Sequence, residues 1–253
     1  MAKHLIYMLS KIEYGRISKS KFLGGMDGII ENLRRDFPHV QPVRQQNSFR
    51  FELKAEGAPE VFTDTDPVLT LLSPNKTWGI RISPNFLILH TKKCEGFEDF
   101  KKRLFKVIEA VHHNFDITHI SFVGMRYINS FDYNPSYEFS EYFKRMDFLQ
   151  PSLGSWLKAG SNLSARYVNG TETLNVGSGV MINAPKYMPD LAELASDIDD
   201  INKINEGPAA YLDIDSFFAS EDLVEFSMEL ISEKISILRN NANAVFNETI
   251  NEV

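Results

Sequence analysis

Two apolar stripes of helical period, each preceded by strand-like alternation, divide this chain into two passes of one pattern: strand, helix, several strands, long helix. Lys3 to Tyr14 is rich in β-branched and aromatic residues and reads as a strand. Ser18 or Ser20 then caps a helix whose apolar positions are Phe22, Met26, Ile29, Ile30, Leu33 and Phe37, with Pro38 as its stop. Ser48 to Leu53 alternates Phe49 and Phe51 against polar neighbours, and Val61-Phe62 and Val68 to Leu72 continue as strand, broken by Pro59 and Pro67. Trp78 to Ile82, the turn Ser83-Pro84-Asn85 and Phe86 to Thr91 form a tight hairpin. From Gly96 the period becomes helical again through Phe97, Phe100, Leu104, Val107, Ile108 and Val111.

The second pass begins near Ile117 with a long strand to Phe131, followed by a short helix over 137–146. Leu163 to Val168, the Asn169-Gly170 turn and Thr171 to Val180 make a hairpin. Ala209 to Phe217 is a further strand, and Ser220 with Glu221 and Asp222 opens the last helix as cap and first-turn acids. The fold expected is α+β: one extended, mainly antiparallel sheet from two similar halves, 1–116 and 117–253, with helices on one face. The acidic segment at about 185–207 carries Asp190, Glu193, Asp197, Asp199, Asp200 and Glu206, with Leu191, Leu194, Ile198 and Ile201 spaced as a short amphipathic helix. It reads as an insertion at the sheet edge or over a loop, with few core residues, and as the most mobile or partner-dependent region.

At 253 residues the chain can bury a sizeable core, and no apolar run approaches the ~20 residues needed to cross a membrane. Met1 to Tyr7 has neither an adequate h-region nor a cleavage site, and Cys94 is the only cysteine, so a reducing cytoplasm is the expected compartment. The net charge of −7 argues against nucleic-acid binding, which needs a basic footprint.

Chemistry-bearing residues are few. Asp213 and Asp215 stand two apart on a strand and so share a face, where they could bind a divalent cation or pair with arginine. Arg126, in a largely apolar strand, is the natural partner for one of them, since guanidinium and carboxylate match as forks. Arg81 shares its face with Gly79 and Ser83, opposite Trp78, Ile80 and Ile82, which reads as exposed. His112 and His113 sit where protonated imidazole suits a helix end. HExxH, P-loop and GxGxxG patterns are missing from the sequence, and Gly24-Gly25-Met26-Asp27-Gly28 falls inside a helix with no lysine to make a phosphate cradle. No cofactor and no metal are expected. Trp78, Arg81, Arg126, Asp213, Asp215, Asp197, Asp199 and Asp200 are the binding candidates, the last three as the contact for a basic partner.

Trp78-Gly79-Ile80-Arg81-Ile82-Ser83-Pro84, the Phe97-x-x-Phe100 helix, Arg126-Tyr127-Ile128-Asn129 and Leu212-Asp213-Ile214-Asp215 occur in an order that resembles a sporadically distributed prokaryotic family of unknown function. Its members show an aromatic-rich hairpin, a G-L-R-Y-x-[ND] strand and an L-D-x-D strand before a final helix; the likeness spans residues 5–246. The chain departs from it with Gly124-Met125 before Arg126 and with Ser216 where relatives carry histidine. The resemblance implies an α+β fold, and the family's patchy distribution points to mobile elements or defence islands. The element order also resembles the duplicated saddle of the TATA-box-binding protein. The function expected is a non-catalytic binding or regulatory protein acting through a protein partner (a toxin, an antiviral effector or a second copy of itself), antitoxin-like in role. The alternative is a metal-dependent enzyme on nucleotides or phosphoesters using Asp213 and Asp215.

Overall fold

The computed structural model describes residues 3–52, 60–136, 138–149, 153–156 and 159–251; the side chains of 48–52 and 60–62, including Phe49, Phe51 and Phe62, lie outside that description. At the centre of the sheet β1 (Leu5–Tyr14) and β7 (His119–Asp132) pair antiparallel. From β1 the sheet runs outward through β6 (Phe86–Thr91), β5 (Trp78–Ser83) and β4 (Glu60–Leu72) to the two-residue β2 (His39–Val40). From β7 it runs through β10 (Pro208–Glu225) and β9 (Glu172–Ile182) to β8 (Leu163–Asn169). In each pass the last strand returns beside the first, and the two first strands meet at the seam. With β3 (Arg44–Glu52), which pairs only with the outer part of β4, the sheet has ten strands, and every pairing is antiparallel. β4 exchanges β3 for β5 just after Pro67, a residue without the N–H that a central ladder requires.

Three helices cover one face. α1 (Lys19–Leu33), α2 (Phe97–Phe115) and α4 (Met228–Thr249) bury Phe22, Ile29, Leu104, Val107, Ile231 and Ile235 against Ile80, Leu89, Met125 and Ile214. Ser18 caps α1, its hydroxyl accepting from the Lys21 N–H at 3.3 Å. The glycines of α1 serve helix crossing: a Cβ on Gly25 would lie 2.4 Å from the Phe115 ring, and one on Gly28 2.0 Å from Asn114 Oδ1. Trp78 belongs to this core, against Phe100 at 5.7 Å and under the Arg103 guanidinium at 4.8 Å.

Four expectations need correction. The last helix starts at Met228, capped by Ser227, whose Oγ accepts from the Leu230 N–H at 3.0 Å. Ser220 to Asp222 instead lies in a bulge of β10, because its pairing with β7 slips between Ala219 and Val224 and resumes at Ile120. The helix expected over 137–146 is turns and a 3-10 segment at Met146–Phe148, which still bury Phe139 and Phe143. The second hairpin turns on Gly170-Thr171, one residue later than expected, since Asn169 already pairs with Glu172. Finally, α3 (Pro189–Ala195) lies on the sheet face opposite the other helices, over its centre and not at an edge.

Candidate functional site

Strand alternation decides which side chains meet α3. In β10, Leu212 and Ile214 point to the three-helix face, so Asp213 and Asp215 point to the other. Arg126 does the same in β7, opposite Asp215 in register, and its guanidinium reaches diagonally to Asp213. Nε and Nη2 donate to the two Asp213 oxygens at 2.9 and 2.6 Å, the expected pair in bidentate form. The outer edge of Arg126 donates to Asp190 of α3 through Nη1 at 2.5 Å.

Arg81 repeats the arrangement on β5, and it is buried rather than exposed. Nε and Nη2 donate to Asp197 at 2.6 and 3.1 Å, Nη1 to Glu193 Oε1 at 2.8 Å, and Nη2 to the Glu193 carbonyl at 2.9 Å. Arg44 adds a contact to Asp197 at 3.2 Å. Asp199 accepts from Lys92, Lys186 and the Tyr187 hydroxyl at 3.1, 2.8 and 2.5 Å. Asp200 stays exposed and caps a turn by accepting from the Asn202 N–H at 3.0 Å.

The acidic segment is therefore a strap, and the cations it binds are those of its own sheet. Leu191, Leu194, Ala195, Ile198 and Tyr187 bury against Tyr7, Leu9 and Ile128, which corrects the expectation of few core residues. Its ends are closed at the base, where the Asn183 N–H donates to the Gly207 carbonyl at 3.1 Å and the Gly207 N–H to Asn183 Oδ1 at 2.8 Å. Arg126 and Arg81 lie three strand spacings apart, roughly 14 Å, and the strap bridges them, meeting the first with Asp190 and the second with Glu193 and Asp197. Asp197 and Asp199 are thus engaged inward, and Asp190 and Glu193 reach sheet arginines from the solvent side; of the three proposed partner contacts only Asp200 faces solvent freely.

Burial and pairing set the protonation of these groups. Burial depresses Arg81 and Arg126, but the facing carboxylates outweigh it and raise both above the ordinary arginine range. Burial pushes Asp213 up against the pull of Arg126, and pushes Asp215 up against Arg126 and an Asn175 hydrogen bond at 3.3 Å. Partial burial would raise Asp199, yet its bonds from Lys186, Tyr187 and Lys92 hold it well below the usual carboxylate range. His90, fully buried beneath the strap, is pushed down to about 3 by desolvation and by Arg81. Its Nδ1 meets the Tyr7 hydroxyl at 2.8 Å, while Nε2 has no hydrogen-bond partner and lies 3.8 Å from Asp197. Gly79 makes room for that ring, since a Cβ there would lie 2.2 Å from Nε2.

Beside α3 the sheet leaves a cleft of about 340 Å³. Leu9, Ile88 and Gly124 line it, with Arg81, Arg126, Lys11 and Asp215 around them and Phe86 and Phe122 also at its wall. Arg126 fills the side of Asp213 that a cation would need, and among the described residues no group of three His, Cys, Asp or Glu could hold a metal ion. Cys94 is no nucleophile in this setting: its thiol donates to the Gly96 carbonyl, and burial raises its pKa. Among the described residues no helix is long and apolar enough to cross a membrane.

Sequence reasoning missed Asp190, Glu193, Lys92 and His90. A signal was present for the first two: Asp190, Glu193 and Asp197 recur at three and four residues, an acidic stripe beside the apolar one. No family model and no curated protein matches this chain.

Proposed function

We propose that the protein is a non-catalytic binding or regulatory protein of a prokaryotic mobile or defence-type operon that acts through a protein partner, in keeping with its resemblance to a sporadically distributed family of unknown function. The observation that carries this reading is that Arg81, Arg126, Asp197, Asp199 and Asp213 satisfy one another or the strap. Groups locked in mutual ion pairs are poorly placed to turn over a substrate, and well placed to hold a movable element. Since Asp197 and Asp199 are committed inward, the partner contact is placed elsewhere. Leu153 and Trp156 are exposed by 71% and 78%, and tryptophan is among the residues most enriched at binding hot spots.

Pull-down with the intact chain, followed by mass determination of the whole complex, should give a defined stoichiometry with a toxin, an effector or a second copy. Trp156→Ala should lose that complex without changing the melting temperature. A complex that survives Trp156→Ala would remove this contact, and a strictly monomeric, partner-free chain would remove the reading. The second reading, a metal-dependent enzyme on nucleotides or phosphoesters, has one observation in its favour: Asp215 lines the cleft. A melting temperature that rises with Mg²⁺ or Mn²⁺, and does so only while Asp213 and Asp215 are intact, would favour that reading.

A further inference from the structure

Buried Arg81 and largely buried Arg126 each present two edges, and the two edges are held differently. The inner edge of Arg126 is gripped by Asp213 and that of Arg81 by Asp197, both from within the protein. The outer edges are met by Asp190 and Glu193, whose side chains are 61% and 76% exposed. Each of these carboxylates is solvated while its arginine is largely buried, so the bond can be exchanged from the water side. Asp190 and Glu193, one helical turn apart, thus occupy the outer edges as a ligand's anionic groups would.

The space between these edges suits a ligand body. Its lining includes the apolar side chains of Leu9, Ile88, Leu191 and Leu194. Lys11 Nζ stands between two half-exposed rings, 5.4 Å from the Phe86 centroid and 5.8 Å from that of Phe122. Phe217 stacks on Phe122 at 5.3 Å and extends the aromatic surface along the sheet. The charged lining is Lys11, Arg81 and Arg126 against Asp190, Glu193 and Asp215, with Glu13 paired to Lys11 at 2.5 Å. At about 340 Å³ the cleft falls in the size range of small-molecule sites, which combine apolar walls with a few placed polar groups.

We propose that this cleft binds a small aromatic or heteroaromatic anion, its ring against Phe86 and Phe122 and its charge on Lys11 and the outer edges of Arg126 and Arg81, with Asp190 and Glu193 as built-in competitors. An aromatic carboxylate and a nucleotide share this chemistry. The inference goes beyond the partner reading and is independent of it, since binding is measured on the isolated chain and a failed pull-down leaves it standing.

The test is calorimetric titration of the full chain with four probes: phenylacetate, AMP, adenosine and inorganic phosphate. Asp190→Asn/Glu193→Gln changes only exposed side chains and removes both outer carboxylates, leaving the Glu193 carbonyl on Arg81 Nη2, so phenylacetate or AMP should bind at least about tenfold more tightly than to the natural chain. Whichever of the two gains more identifies the source of the anion. Adenosine, without charge, and phosphate, without a ring, should each gain less. Lys11→Met in the double variant should return the affinity to the starting value. Leu191→Ala, which loosens α3 without altering charge, should not tighten binding. The proposal is overturned by any of three results: no binding of either aromatic anion to the double variant at millimolar concentration, affinity indifferent to Lys11→Met, or Leu191→Ala tightening binding as much as the charge change.

Discussion

Across one face of the sheet, Phe22, Leu104 and Ile231 close on Ile80, Leu89, Met125 and Ile214 with no charge among them; across the other, the strap is fastened by Arg81 to Glu193 and Asp197 and by Arg126 to Asp190. Both faces are covered, but by forces with different tolerances. Apolar burial is non-directional and proportional to area, so its contacts can shift and still stabilise. A guanidinium–carboxylate fork is directional and loses its value when either partner leaves, because the remaining charge stays partly desolvated. The three-helix face is therefore a foundation, and the strap face adds to its smaller apolar cluster an ionic fastening that pH and charge can undo.

Removing one partner of the buried fork should produce the largest loss. Arg126→Met or Asp213→Asn should destabilise the chain by about 3–5 kcal/mol in chemical denaturation. Replacing both with apolar residues should restore much of the loss, since the buried Asp213 charge goes with its partner and only the exposed Asp190 and the Asn175-bonded Asp215 lose a contact to Arg126. A single variant that costs as little as a surface change would show the ionic face to be decoration, and the contrast between the faces would collapse.

On the apolar face, Leu104→Ala should cost about 3 kcal/mol, from lost burial and the cavity left under α2. The distinguishing measurement is its response to conditions: the loss should be the same at low and high salt and between pH 5 and 8. Strong dependence on either would mean that the two faces are not closed by separate forces.

Acid should loosen the strap face first. His90 is held neutral in the fold with its pKa pushed down to about 3, whereas an unfolded histidine titrates near 6.5. The unfolded chain therefore takes up the proton first, so this contribution is complete above about pH 6.5 and is lost as pH falls toward 3. It amounts to roughly 2 kcal/mol by pH 5. Asp199 is depressed in the fold, so its contribution is present above the ordinary carboxylate range and is lost only below about pH 4. Thermal melting against pH should show both limbs, and His90→Gln should flatten the upper one. Unchanged stability from pH 7 to 5 would mean that His90 is not sealed by the strap.

The smallest effect belongs to Asp200, the exposed acid of the same segment. Asp200→Asn should change stability by less than about 0.5 kcal/mol, against several for Asp197→Asn in the same assay. Equal costs would show that position in the strap, rather than direction of the side chain, governs the energetics.

Much of the architecture was legible because it is written in nearest-neighbour spacing. The three- and four-residue recurrence of Phe22, Ile29 and Leu33, and of Phe100, Leu104 and Val111, selects helices with one buried face wherever the chain places them. Pro84-Asn85 sets a two-residue hairpin, and the alternation of Leu212 and Ile214 with Asp213 and Asp215 sends the acids to a common face. Even the Arg126–Asp213 fork could be anticipated, because one unpaired cation and two acids stood on strands of the same pass.

Other features depend on what the fold brings together. Whether Ser220 or Ser227 caps the last helix turned on a pairing slip between β10 and β7, invisible to local propensity. Burial of Arg81 required Asp197, 116 residues further along, and burial of the strap required the open centre of a sheet built from both passes. Periodicity reports which side of an element is apolar, and that much the sequence alone determined. Which of two sheet faces an amphipathic strap covers, and whether its acids meet solvent or arginine, depends on long-range apposition, and only the tertiary structure decided it.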